Sequence, residues 1–228
     1  MTTLIDLSHR LHEGMPAYPG LPEPHFDTVV THEQSGERGL YTHGTTFQIA
    51  RYEMGGNTGT YVDSPFHRHP LKEDLAGLAL EKLANVPGLL VKAIQEGEIG
   101  PQAFDGLDIK GKAVLVHTDW ARRWDSGDYF KAGPYLGAAA CRLLVEGGAT
   151  LVGIDCANID NMGDPARGVA GDSTRPAHTL LLGAGIPIVE HLCNLDALES
   201  KDFRFFAVPP AVVGGTSFAV RAFAILES

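Results

Sequence analysis

The chain's 228 residues, 44% hydrophobic and 20% charged, supply a core without the help of disulfides and exclude a disordered tail, a coiled coil or a collagen-like fibre. With 28 acidic against 18 basic residues the formal charge is -10, which argues against nucleic acid or an anionic membrane as partner and leaves a small molecule as the expected one. Three cysteines without a CxxC pair spell neither a disulfide framework nor a thiolate zinc site, so a reducing, cytoplasmic setting is expected. No uncharged apolar run approaches the ~20 residues of a membrane span.

The first stretch, 1–24, is broken by Gly14, Pro16, Pro19, Gly20, Pro22 and Pro24 and is expected to be an extended arm or edge. Thr45 to Tyr52 reads as a strand, and a second begins after Gly55-Gly56 and runs through Tyr61 and Val62 until Pro65 ends it. Leucines at 75, 78, 80 and 83 have a loosely helical spacing, and the residues from Gly88 to Ala93 form the next strand. Ala113 to His117 (strand), Leu136 to Val145 (helix, stopped by Gly147-Gly148) and Thr150 to Ile154 (strand) compose a βαβ unit with a parallel pair. The pattern recurs: Thr174 is placed to cap a helix with Pro176 in its first turn, Gly183 and Gly185 close it, and Ile186 to Val189 make a strand. Phe203 to Val208 and Ser217 to Leu226 alternate like two further strands. No linker or repeat divides the chain, so one α/β domain with a mixed sheet over 1–228 is expected.

In open α/β sheets ligands collect beyond the carboxyl ends of the strands, and that edge is acidic here: Asp119, Asp155 and Glu190 each follow or end a strand. A single such acid is ordinary turn chemistry, and Asp119 is read that way. The segment from Gly55 to His67 is richer. In an extended backbone Asn57, Tyr61 and Asp63 share a face, and Ser64-Pro65 then turns the chain so that His67 can join the same pocket. On spacing alone such a string is more often plain turn chemistry.

The same segment resembles the signature of the cyclase family of metal-dependent hydrolases, which includes bacterial kynurenine formamidase and isatin hydrolase. That signature reads H-x-G-T-H-x-D-x-P-x-H and stands here as Asn57-Thr-Gly-Thr-Tyr61-Val-Asp63-Ser-Pro-Phe-His67. The resemblance extends in order over Asp6-Leu-Ser-His9, Tyr18-Pro-Gly20, His117-Thr-Asp-Trp120, Val152-Gly-Ile-Asp155, His178 and Pro187-Ile-Val-Glu190 through Asn194. It implies a swivelling β/β/α type of fold, a homodimer or homotetramer, and one divalent ion, zinc or manganese, held by Asp63, His67, His178 and Glu190.

The departures are as telling as the matches. Asn57 and Tyr61 stand where the family places two ligand histidines; zinc favours nitrogen and sulfur ligands over an amide oxygen or a phenol. The expected activity is hydrolysis of an amide, cyclic imide or lactone by metal-activated water, with Asp63 and His67 in catalytic roles, Tyr61 donating to the oxyanion, and Asn57 and Tyr18 binding substrate. Two alternatives stay open. One is a metal-free isomerase, cyclase or dehydratase that uses Asp63 and His67 as an acid–base pair; the other is a ligand-binding member without catalysis. His69 and His191 are expected in surface or packing roles, Cys156 as a buried thiol, and Trp120 and Trp124 as packing residues.

Overall fold

A computed structural model describes residues 2–38, 41–42, 44–164 and 168–226 of the chain. Its strands in chain order are β1 (Thr3–Asp6), β2 (His25–Val30), β3 (Ile49–Glu53), β4 (Tyr61–Asp63), β5 (Val86–Lys92), β6 (Glu98–Ile99), β7 (Ala113–His117) and β8 (Tyr135–Leu136). They continue with β9 (Leu151–Ile154), β10 (Gly163–Asp164), β11 (Val169–Ala170), β12 (Ile188–Glu190), β13 (Phe203–Phe206), β14 (Ser217–Ala219) and β15 (Phe223–Leu226). The α-helices are α1 (His32–Glu37) and α2 (Ala138–Glu146), and His178–Leu182 forms a turn of π-helix. Among the described residues no helix is long and apolar enough to cross a membrane.

Nine strands make one mixed sheet in the order β1-β15-β13-β5-β7-β9-β12-β4-β14. The centre, β5-β7-β9-β12, is parallel, and antiparallel strands flank it on both sides. The β7-α2-β9 unit is the expected crossover, with β8 inserted ahead of the helix. Central strands here are apolar at successive positions because both faces are covered. Val114, Val116, Val152, Ile154 and Ile188 pack with α2 and the π-helix on one face. Ala113, Leu115, Leu151 and Val189 pack with Val62, Leu192, Phe203 and Phe205 on the other. Gly88 is needed for that second layer, since a Cβ there would lie 1.9 Å from the Phe203 ring.

Several expectations are corrected. Residues 75–83 are not helical beyond a short 3-10 turn, Leu80–Lys82. The Asp74 carboxylate captures the amides of Gly77 at 2.9 Å and Gly214 at 2.6 Å, folding the segment back on itself while Leu75, Leu78 and Leu83 still reach the core. The strand expected from Gly55 onward is confined to β4 and follows a turn. Near the start of the chain Thr3–Asp6 become the sheet edge, β1, paired with β15. The tail contains three strands, not two, because the chain leaves the sheet between Ala219 and Phe223. Thr174 does not cap the 178 helix: its hydroxyl binds Asp172, and Asp160 from another part of the chain accepts the Ala177 and His178 amides instead.

Candidate active site

Strand register assembles the first half of the site. β4 lies between β12 and β14, and the pairings put Tyr61 opposite Glu190 and Asp63 opposite Ser217. Directly opposed side chains share one face of a sheet within contact distance, so the Tyr61 hydroxyl donates a short hydrogen bond to Glu190 Oε2 and the Ser217 hydroxyl one to Asp63 Oδ1. The turn before β4 brings the Asn57 amide to 3.3 Å from both Asp63 Oδ1 and Ser217 Oγ. That approach requires glycine at 56, where a Cβ would sit 2.3 Å from the Ser217 carbonyl oxygen. After Asp63, the hydroxyl of Ser64 donates to the Thr216 carbonyl at 2.9 Å, and the 3-10 turn Pro65–His67 carries His67 back toward Ser217, with Nδ1 3.4 Å from its hydroxyl.

The second half comes from His178, on the π-helical turn; such insertions are frequent at functional sites because they re-aim a side chain. Asp160 holds the ring, with Nδ1 2.6 Å from its Oδ2, and so directs Nε2 toward Asp63 Oδ2 at 3.5 Å and Glu190 Oε2 at 4.0 Å. Glu190 spends its other oxygen on the Ile159 amide at 2.6 Å. Asp63, His178 and Glu190 are each essentially inaccessible to solvent.

Burial and neighbours tune these groups in opposite directions. Burial works against an imidazolium at 178, yet the Asp160 and Asp63 contacts outweigh it and raise His178 to about 9. Burial likewise opposes the Asp63 carboxylate, but His178 and His67 hold it below the usual value. His67 is lowered, by burial first, so its ring is neutral at neutral pH. Glu190 is raised by burial, and the Tyr61 phenol is pushed well up by burial and by the Glu190 charge, so it remains a proton donor.

Asp63, His67 and His178 each offer a ligand atom, and these atoms lie within 4.8 Å of one another. Asp63 Oδ2 is buried and, among the described residues, has no hydrogen-bond partner. Its 3.5 Å separation from His178 Nε2 is close to the roughly 3.3 Å edge expected for two ligands each about 2.0–2.1 Å from a tetrahedral ion. Two imidazoles, a carboxylate oxygen and a carboxylate partner on the far ring nitrogen of one of them are the donor set and outer shell of a zinc-type centre. The residues present therefore fit a single divalent ion. Glu190, expected as a fourth ligand, borders the cluster with both oxygens engaged by Tyr61 and Ile159.

A cleft of about 280 Å³ opens onto these groups, lined by Asn57, Tyr61, His67 and His178, with the N-terminal arm at 18–21 as one wall. Tyr18 lines the cleft, its hydroxyl 3.5 Å from Met162 Sδ. Asp160, Ser217, Asn158 and Arg175 belong to the site and were not singled out in the sequence. Asp160 lies five residues beyond the strand-end acid Asp155, a faint signal, whereas Ser217 carries none until the register is known.

The remaining candidates resolve into structure. The Asp155 carboxylate accepts from the Thr118 amide and hydroxyl and the Asp119 amide, pinning the loop after β7. Asp119 pairs with Arg122. Cys156 is buried against the Pro134 and Asn158 carbonyls, with its thiol pushed well up by burial. His69 donates to the Thr179 carbonyl at 3.0 Å, and His191 is buried among Tyr61, Trp124, Tyr129 and Phe130. Trp120 and Trp124 are core residues.

A mixed sheet bearing an Asp-His-His cluster, with Asp63 and His178 buried and His67 half-buried beside a small cleft, defines a protein equipped for metal-assisted or acid–base chemistry on a small molecule. The model of the cyclase family, described as "Putative cyclase", matches residues 5–161, and the chain belongs to that family. It is 26% identical over 224 residues to a kynurenine formamidase from Geobacillus thermodenitrificans, covering 97% of each chain, and 23% identical over 219 residues to one from Bacillus cereus, covering 96% of this chain and 95% of the relative. Among solved structures, isatin hydrolase A from Labrenzia aggregata bound to benzyl benzoate superposes with a TM-score of 0.82 at 21% identity, over 100% of this chain and 94% of the other. A structure described as a potential metal-dependent hydrolase with cyclase activity gives 0.79 at 22% identity, over 100% of both chains. These structural likenesses establish the fold.

Proposed function

We propose that the chain is a metal-dependent hydrolase that opens an amide, cyclic imide or lactone of a small substrate. The observation that carries this reading is the Asp63-His67-His178 cluster bordering the cleft, with a buried Asp63 oxygen that accepts no hydrogen bond among the described residues. The kynurenine formamidase and isatin hydrolase relatives support the reaction class. Zinc or manganese suits the donor set, and such an ion supplies Lewis acidity and lowers the pKa of water.

The protein's own groups divide the remaining work. Asp160 fixes the His178 ring so that Nε2 faces Asp63. Asn57 and Ser217 bind Asp63 Oδ1 and leave Oδ2 for the ion. His67, neutral at neutral pH and at the cleft wall, has a lone pair for ligation or for taking a proton from the attacking water and passing it to the leaving group. Tyr61 directs its hydroxyl to Glu190, so the role proposed for it is to orient and neutralise that carboxylate beside the reacting groups rather than to meet the oxyanion. Tyr18 and its neighbours close the cleft over the substrate and exclude water.

A second reading, a metal-free isomerase or dehydratase with Asp63 and His67 as the acid–base pair, draws support from Arg175, whose guanidinium places a positive charge beside His178. Hydrolysis of formanilide, isatin and dihydrocoumarin, followed before and after EDTA and on restoring zinc or manganese, separates the two. Metal-restored cleavage of one of them supports the hydrolase. Cleavage that is indifferent to EDTA, or no cleavage with either ion, overturns it.

A further inference from the structure

Among the described residues lining the cleft, Arg175 is a cation that the proposed hydrolysis does not use. It lies three residues before His178, with Nη2 3.1 Å from Nδ1 and 3.0 Å from Nε2 of that ring. A nitrogen that close to both ring nitrogens lies over the ring face, because an in-plane position equally near both would collide with the carbon between them. The ring therefore supplies no in-plane acceptor to this end of the guanidinium; Nδ1 is in any case committed to Asp160. Arg175 Nε is 3.5 Å from Asp160 Oδ2, an oxygen already accepting from His178. The backbone at Arg175 has φ +45°, a left-handed conformation that glycine or asparagine adopts more readily. Strain of this kind at the rim of a cleft is characteristic of a side chain held for a purpose.

We propose that Arg175 is the substrate-recognition residue of this cleft and that the substrate is a compact carbonyl compound bearing a carboxylate in addition to the bond to be cleaved. The guanidinium fork matches a carboxylate in two parallel hydrogen bonds, which neither Tyr18 nor Asn158, the neutral polar groups nearby, can supply. On a chain of net charge -10 an anionic substrate needs such a local attractor. The cleft volume of about 280 Å³ limits the ligand to roughly one ring with a short side chain. The proposal takes the cleft as the substrate site of the hydrolase reading; its test reads binding and not turnover, so the two fail separately.

The probes are hippurate and hippuramide, which share an amide and differ only in carboxylate against carboxamide, with benzoate standing for a carboxylate generated by cleavage. Ligand-observed NMR titration is made on the protein as purified and again in EDTA. The wild type is expected to bind hippurate about 10- to 100-fold more tightly than hippuramide, in both conditions. Arg175→Met removes that preference, weakening hippurate far more than hippuramide, while Arg175→Lys keeps part of it by charge without the fork. If Arg175→Met does not fold, the Lys variant and the weakening of hippurate binding by salt in the wild type still decide. Equal affinity for the two probes, a preference that EDTA abolishes and Arg175→Met leaves intact, or an Arg175 effect confined to benzoate would each overturn the proposal.

Discussion

Replacing Tyr61 with phenylalanine removes one oxygen atom from a fully buried pair and nothing else. Glu190 then loses the donor to Oε2, keeps the Ile159 amide at 2.6 Å on Oε1 with the His178 ring 4.0 Å from Oε2, and has no access to water. A hydrogen bond to a charged group contributes about 1.5–3 kcal/mol, and leaving a buried acceptor without its donor brings the larger end of that range, so Tyr61→Phe should destabilise the fold by about 2–3 kcal/mol. At 2–4 °C per kcal/mol for a chain of this size, the melting temperature falls by roughly 5–10 °C. Because burial raises Glu190, the loss is greatest at alkaline pH, where the carboxylate form dominates, and shrinks in acid, where the group carries its own proton. Urea unfolding at pH 8 and pH 5, compared through the midpoint at constant m, measures both effects. A loss under about 0.5 kcal/mol at pH 8, or one that grows in acid, would refute the Tyr61–Glu190 clamp.

Gly56→Ala drives a methyl into the Ser217 carbonyl oxygen at 2.3 Å, and should cost about 1–3 kcal/mol and weaken ion retention through the displaced Asn57, as read by chemical denaturation and metal analysis. His191 is lowered by burial to about 4 from 6.5, so the unfolded state binds its proton first as pH falls. The contribution of His191 is therefore complete above about pH 6.5 and drops by roughly 3 kcal/mol between 6.5 and 4, and His191→Phe should flatten that part of the profile. Cys141, Cys156 and Cys193 are buried with thiols raised by burial, two of them to about 12. A disulfide reagent at pH 8 should react slowly with the native protein and release three equivalents after unfolding; fast native reaction would contradict this.

The central parallel strands and α2 are legible in the chain because uninterrupted apolar runs such as 113–117 and 151–154 encode burial on both faces, and Gly147-Gly148 marks the helix end. Local spacing misleads at 75–83, where the leucines do reach the core but Asp74 bonds the backbone into turns. Asp63, His67 and His178 stand out from the chain through the family signature, and the fold brings them together. What the sequence hides is pairing over distance. Ser217 meets Asp63 only through the β4–β14 register, Asp160 caps a helix begun 18 residues later, and Tyr61 finds Glu190 across 129 residues of chain. Arg175 is invisible for a different reason: an arginine before Pro176 reads as solvent-exposed until its backbone and the His178 ring fix where it lies.

Metal analysis of protein purified without chelator and dialysed against zinc or manganese, for the wild type and His178→Ala, tests the central claim most directly. The account predicts about one ion per chain in the wild type and near-complete loss in His178→Ala, since one of three ligands is gone. A folded wild type that retains no ion, or a His178→Ala protein that retains as much as the wild type, would contradict it.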